Sequence, residues 1–125
     1  MKEVVVIGAG IAGLYAAYTA SMHGAEVKVY EVKDGVGTTL KCGEMFTSIY
    51  GMPPSECILN EINEWKFDFS LVSNELEPIS ITLPDKTMFM TDRSVHEHIM
   101  YKKCIGNGVK FIFGNKDILF DRNFG

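Results

Sequence analysis

The sequence predicts an α/β fold built on a parallel sheet, and three observations carry that reading. An apolar run, Val4-Val5-Val6-Ile7, ends in the glycine-rich turn Gly8-Ala9-Gly10-Ile11-Ala12-Gly13. A helical stretch follows from about Ile11 to His23, with Gly24 placed to stop it. A second apolar run, Val27-Lys28-Val29-Tyr30, then ends on an acid, Glu31. Strand, turn, helix and strand in that order make a βαβ unit, whose strands lie parallel because the helix crosses between them.

The turn has a chemistry that follows from its residue types. Gly8 permits a tight turn out of the strand, where φ must be unusual. Gly10 lets backbone approach a pyrophosphate, and Gly13 lets the helix sit close to the strand. The first-turn N–H groups, from Ile11 and Ala12 onward, stand at the positive end of the helix dipole and suit phosphate charge. Seventeen residues separate Gly13 from Glu31, room for one helix and one strand. A carboxylate there accepts hydrogen bonds from a ribose 2′-hydroxyl and repels a 2′-phosphate. Glycines alone are weak evidence; strand, helix and acid in register around them predict a Rossmann-like dinucleotide site.

Composition narrows the partners. At 125 residues the chain has the length of one domain, and 46% hydrophobic residues can build a core. The net charge is −4 with no basic run, which argues against nucleic acid. No apolar run reaches the roughly 20 residues that span a bilayer, and the strand starts too close to Met1 for a secretory leader. Cys42, Cys57 and Cys104 are odd in number and far apart. They suggest neither a disulfide scaffold nor a zinc site, and fit a reducing, cytoplasmic setting. His96 and His98 flank Glu97, but residues two apart on a helix face different ways, so no metal site is expected.

Beyond Glu31, Gly35 to Glu44 reads as an ordered loop rich in glycine and threonine, and Pro53-Pro54 breaks the chain again. From Trp65 the apolar period becomes two, through Phe67, Phe69 and Leu71 and again through Ile79, Ile81 and Leu83. Pro84-Asp85-Lys86 then reads as a hairpin turn returning through Met88-Phe89-Met90. Residues 65–91 are thus expected to form an inserted antiparallel ribbon. Ser94 to Glu97 matches a capping box opening a helix with Val95 and Ile99 on one face. Val109 to Phe113 suits a third parallel strand beside the second, giving the order 3-2-1. Val4 to Ile7, apolar throughout, reads as a strand covered on both faces, yet no fourth strand is available to flank it.

Taken together these residues resemble a family, the FAD-dependent oxidoreductases of the geranylgeranyl reductase kind within the p-hydroxybenzoate-hydroxylase-like flavoproteins. The likeness rests on the glycine turn with Glu31, on Lys41-Cys42-Gly43-Glu44, and on Thr91-Asp92-Arg93 ahead of a helix. The second block is similar to the family's Cys-Gly-Glu segment. The third is similar to its Asp-Arg-x-x-Phe-Asp-x-x-Leu block, although His96-Glu97 stands here for Phe-Asp. The resemblance covers the chain but only the N-terminal part of the family. It lacks the later Gly-Asp-Ala motif, so the fold is expected to be incomplete relative to the family and inactive alone.

The resemblance implies FAD as cofactor, with NAD the chemical alternative. The implied cofactor-binding residues are Gly8, Gly10, Ile11, Ala12, Gly13, Glu31, Lys33, Cys42, Gly43, Met45, Arg93 and Asp117. Cys42 and Glu44 are the candidate catalytic groups. In the full-length family the substrate is a small molecule or isoprenoid lipid, its double bond reduced, with peripheral membrane association a further expectation. Two other readings stay open: a non-catalytic binding fragment that pairs its open sheet edge with a partner chain or a second copy, and a truncated inactive copy.

Overall fold

The computed structural model describes residues 1–38 and 43–114, which form two compact units, one from residues 1–38 with 93–114 and the other from residues 43–92. In the first unit, β1 (Glu3–Ile7), α1 (Ile11–Met22) and β2 (Glu26–Glu31) form the expected βαβ. β1 and β2 pair in parallel, Glu3 opposite Glu26 through Ile7 opposite Tyr30. The helix stops as its sequence requires: Gly24 takes φ +81°, and Ala25 N–H returns to the Ala20 carbonyl at 3.2 Å.

The second helix of this unit, α2 (Arg93–Gly106), leads to a strand at Lys110–Phe113, numbered β8 after the five strands of the other unit given below. That strand pairs in parallel with β2, so the sheet order is the expected 3-2-1. Leu14 and Ala17 of α1, Val27 and Val29 of β2, Met100 and Cys104 of α2 and Val109 form one buried cluster. Tyr101 packs edge-on against Phe111, ring centres 4.7 Å apart, beside Phe113.

Three expectations for this unit are corrected. β1 is not covered on both faces, since Val5 and Ile7 are 37% and 53% exposed while Val4 and Val6 pack against the core. Both helices of the unit serve the side of Val4, Val6, Val27 and Val29, so alternate residues are left outward. The buried face of α2 is also not that of Val95 and Ile99. It is His96, Glu97, Met100 and Cys104, with Val95 37% exposed. No capping box forms: the helix already starts at Arg93, and Ser94 Oγ donates instead to the Gly37 carbonyl at 3.2 Å.

The second unit consists of β3 (Met45–Thr47), β4 (Ile58–Glu61), β5 (Glu64–Phe67), β6 (Ile79–Thr82) and β7 (Met88–Thr91), with short 3₁₀ turns at Ser48–Tyr50 and Ser55–Cys57. β7 lies between β3 and β4, while β5 pairs with β6, all antiparallel. An antiparallel ribbon is therefore present, but its reversal is not at Pro84-Asp85-Lys86, because β6 and β7 do not pair. Residues 58–67 run against 79–91, and the chain turns back between Phe67 and Ile79. There Asp68 Oδ1 accepts the Ser70 N–H at 2.9 Å, and the Phe69 carbonyl accepts the N–H groups of Val72 and Ser73.

The proline stretch is instead an outward bulge between β6 and β7. Lys86 sits at φ +57°, its N–H donates to the Glu61 carboxylate, and Ser48 Oγ donates to its carbonyl at 2.6 Å. Pro84 has no N–H for a ladder, so the strand breaks where sequence placed a turn.

Candidate functional site

The first unit gathers a site at the carboxyl end of its strands. Gly8 leaves β1 at φ +98°, and its N–H donates to the Tyr30 carbonyl at 2.7 Å, which ties the turn to β2. Gly13 faces the turn from α1. An ideal Cβ there would lie 1.9 Å from the Gly8 carbonyl oxygen, so only hydrogen lets helix and strand approach this closely. At Gly10, the N-cap, a Cβ would meet nothing within 4 Å. The space that Gly13 denies to a side chain is filled by backbone; the space beside Gly10 is open.

No side chain caps the N-terminus of α1, and its first turn carries no acid. The dipole's positive end and the early N–H groups, with Ile11 partly buried and Ala12 exposed, therefore face outward next to Gly10. Glu31, at the tip of β2, turns toward the same place. Its Oε2 accepts the Ala9 N–H at 2.7 Å and its Oε1 accepts the Lys33 N–H at 3.1 Å. The carboxylate is thus fixed by two backbone donors, with lone pairs remaining for a further donor on each oxygen.

Ala9, Gly10, Glu31 and Lys33 line an open hollow together with Gly35, Val36, Gly37, Thr38 and Glu97. The loop wall is seated on α2: a Cβ on Gly37, at φ +66°, would come within 2.8 Å of the His98 ring. Glu97 enters from α2 with its side chain 8% exposed, and its Oε1 accepts from Arg93 Nε at 3.2 Å. Arg93 is therefore engaged one helical turn along. Behind them His96, 1% exposed, shares a 2.8 Å hydrogen bond between Nε2 and the Tyr15 hydroxyl of α1. Burial first, then the charges of Arg93 and Lys103, push its imidazole below the ordinary value and favour the neutral ring.

Of the residues expected from sequence, the structure brings Gly10, Glu31 and Lys33 to the hollow, while Gly8, Ile11, Ala12 and Gly13 belong to the adjoining turn and first helical turn and do not line it. Arg93 reaches it through Glu97. Gly43, Glu44 and Met45 belong to the second unit. There Glu44 adopts φ +58° and its carbonyl accepts both the N–H and the hydroxyl of Thr91, while Met45 pairs with Met90. Cys42 and Asp117 lie outside the described residues. Burial raises the thiol pKa of Cys57 and Cys104, which suits structural thiols donating to the Pro54 and Leu14 carbonyls. Sequence reasoning did not place Glu97 or the Gly35–Thr38 wall in the site. The four-residue step from Arg93 to Glu97 was the available signal.

Residues 6–52 match the NAD(P)-binding Rossmann-like domain family. Among curated proteins, the chain is 37% identical over 79 residues to a thiamine thiazole synthase of Phaeosphaeria nodorum, covering 58% of this chain and 24% of that protein. It is 40% identical over 55 residues to a digeranylgeranylglycerophospholipid reductase of Methanococcus vannielii, covering 42% of this chain and 14% of the reductase. Among solved structures, a geranylgeranyl bacteriochlorophyll reductase-like protein from Thermoplasma acidophilum superposes with a TM-score of 0.72 at 19% identity, over 91% of this chain and 30% of that one. CtdE, solved with FAD and a substrate, gives 0.64 at 20% identity, over 91% and 30% of the two chains. The chain thus spans about a quarter or less of the curated relatives' length. No described helix is long and apolar enough to cross a membrane. Residues 6–52 thus match a Rossmann-like domain model, and the chain shares its fold with solved structures that include a geranylgeranyl bacteriochlorophyll reductase-like protein and a protein solved with FAD.

Proposed function

We propose that the chain is the cofactor-binding portion of a flavin oxidoreductase that takes FAD and whose full-length form reduces double bonds of an isoprenoid lipid precursor. The observation that carries this is the open space beside Gly10 at an uncapped helix N-terminus, with the Glu31 carboxylate fixed at the same hollow. The residues present fit such a ligand. First-turn N–H groups receive the pyrophosphate, Glu31 accepts from the adenosine ribose, and Lys33 and Arg93 supply positive charge nearby. Cys42 and Glu44 remain the groups to test in catalysis. A bound flavin supplies the electron transfer; this chain's residues bind and orient it.

The acid on β2 also sets a preference. A 2′-phosphate would bring two negative charges to Glu31, so FAD and NAD are admitted and NADP is refused. NMR titration of the 125-residue protein is expected to give weak FAD binding, on the order of 0.1 mM, weaker NAD binding, no NADP binding and no turnover. FAD binding absent at millimolar concentration, or NADP binding as well as FAD, overturns the reading. A second reading, a non-catalytic dinucleotide fragment completed by a partner chain, draws on the outward Val5 and Ile7 of β1. Sedimentation of a monomer at all concentrations would count against it.

A further inference from the structure

We propose that Asn107 is a site of spontaneous covalent modification, losing its side-chain amide to leave aspartate or isoaspartate, and that the change loosens the tie between α1 and α2. Both helices of the first unit end in the same way. Gly24 takes φ +81° after α1, and Gly108 takes φ +82° after α2. The N–H of each glycine returns to the carbonyl three residues back, Ser21 and Ile105, and the next N–H returns to Ala20 and Cys104. This helix ending favours a residue without Cβ. The residue ahead of the glycine differs: His23 at the first end, Asn107 at the second.

Asparagine before glycine has a reaction of its own. The Gly108 nitrogen attacks Asn107 Cγ; an N–C bond forms, the Cγ–Nδ2 bond breaks, and the amide leaves as ammonia. Water then opens the cyclic imide at either carbonyl, giving aspartate or a backbone longer by one methylene. Nothing is oxidised or reduced, and water is the co-reactant. A side chain on the following residue obstructs the attack; Gly108 has none, and the space where its Cβ would stand is open. Asn107 is the chain's one asparagine followed by glycine, the others preceding Glu, Lys or Phe. It is exposed, and the 3.0 Å bond from Gly108 N–H to Ile105 belongs to a helix end, where fraying frees the nitrogen.

The surroundings set what the change does. Asn107 Nδ2 donates to Ser21 Oγ at 3.2 Å, joining the ends of α2 and α1. Ser21 Oγ donates its own proton to the Tyr18 carbonyl at 2.7 Å. An aspartate at 107 therefore meets an oxygen with no proton to give, and its charge stands at the negative ends of two helix dipoles. Lys103, the basic group of the last turn of α2, is turned to the Tyr18 ring, its Nζ 5.8 Å from the ring centre. In the isoaspartyl form the added methylene falls between Cys104 and the buried Val109, whose 3.0 Å hydrogen bond closes the turn.

The test incubates the folded 125-residue protein at physiological temperature and mildly alkaline pH, beside the same protein unfolded in urea, and maps acid at each asparagine by peptide mass spectrometry. In the folded protein Asn107 is expected to convert first among the asparagines, more slowly than in urea. Asn107→Gln, whose longer side chain closes a larger ring reluctantly, is expected to keep its denaturation midpoint through the incubation while the wild-type midpoint falls. Asn107→Asp, made directly, should shift the folding equilibrium about 10-fold toward the unfolded chain. The same substitution in a Ser21→Ala background should lose less. The inference is overturned if the folded protein keeps Asn107 intact while the unfolded chain converts, if another asparagine converts first, or if Asn107→Asp is as stable as wild type.

Discussion

Gly13 and Gly10 stand three positions apart in one turn, and an added methyl meets a different obstacle at each. At Gly13 it would strike the Gly8 carbonyl at 1.9 Å, an atom of the backbone that moves only if α1 lifts from β1. Gly13→Ala is expected to cost more than ~2 kcal/mol of stability, measured by urea denaturation. At Gly10 the methyl meets nothing, and the backbone at φ −72° is open to alanine. Gly10→Ala should stay within about 1 kcal/mol of wild type while losing FAD binding in the same titration. The sequence made both roles legible, because the motif assigns one glycine to the helix contact and another to the ligand. It did not reveal Glu97, whose place depends on a helix eighty residues downstream of the turn folding back over it.

At the scale of elements, α2 shows where periodicity misleads. Val95 and Ile99 are the obvious apolar pair four residues apart, but the face that packs is His96, Met100 and Cys104. Both stripes repeat at the helical period, and histidine and cysteine do not announce themselves as core residues. Met100, 2% exposed in the cluster with Leu14 and Val29, should cost about 2–5 kcal/mol when replaced by alanine. Val95→Ala should change stability by less than about 1 kcal/mol, and thermal melts of the two variants compare the faces directly. The ribbon carries a similar lesson. Alternation in Trp65–Phe67 and Ile79–Ile81 was readable and those residues do pair, yet Pro84-Asp85-Lys86 looked like the turn while Asp68 to Leu76 makes it. Pairing is settled by register between distant strands, which no local signal contains.

For the whole molecule, the parallel 3-2-1 order was legible because crossover connections admit few alternatives. The uneven covering of its sheet was not, since an apolar strand looks the same whichever side is packed. Stability of the first unit also couples to pH through His96. Its folded pKa lies below the unfolded value, so on acidification the unfolded state takes up the proton first and folding is penalised. Stability is expected to be full above the unfolded pKa of about 6.5 and to fall as pH drops below it. His96→Gln should flatten that part of the profile in denaturation midpoints recorded from pH 7 to pH 5.

The hydrogen bond from Ala9 to Glu31 carries one more consequence. The carboxylate that would choose the cofactor also braces the loop that would hold it, so recognition and folding share an atom. Exchanging the acid for a basic residue, the obvious route to a protein preferring a phosphorylated cofactor, removes a support of the turn before any new ligand arrives. Such a redesign has to supply another acceptor for the Ala9 N–H first.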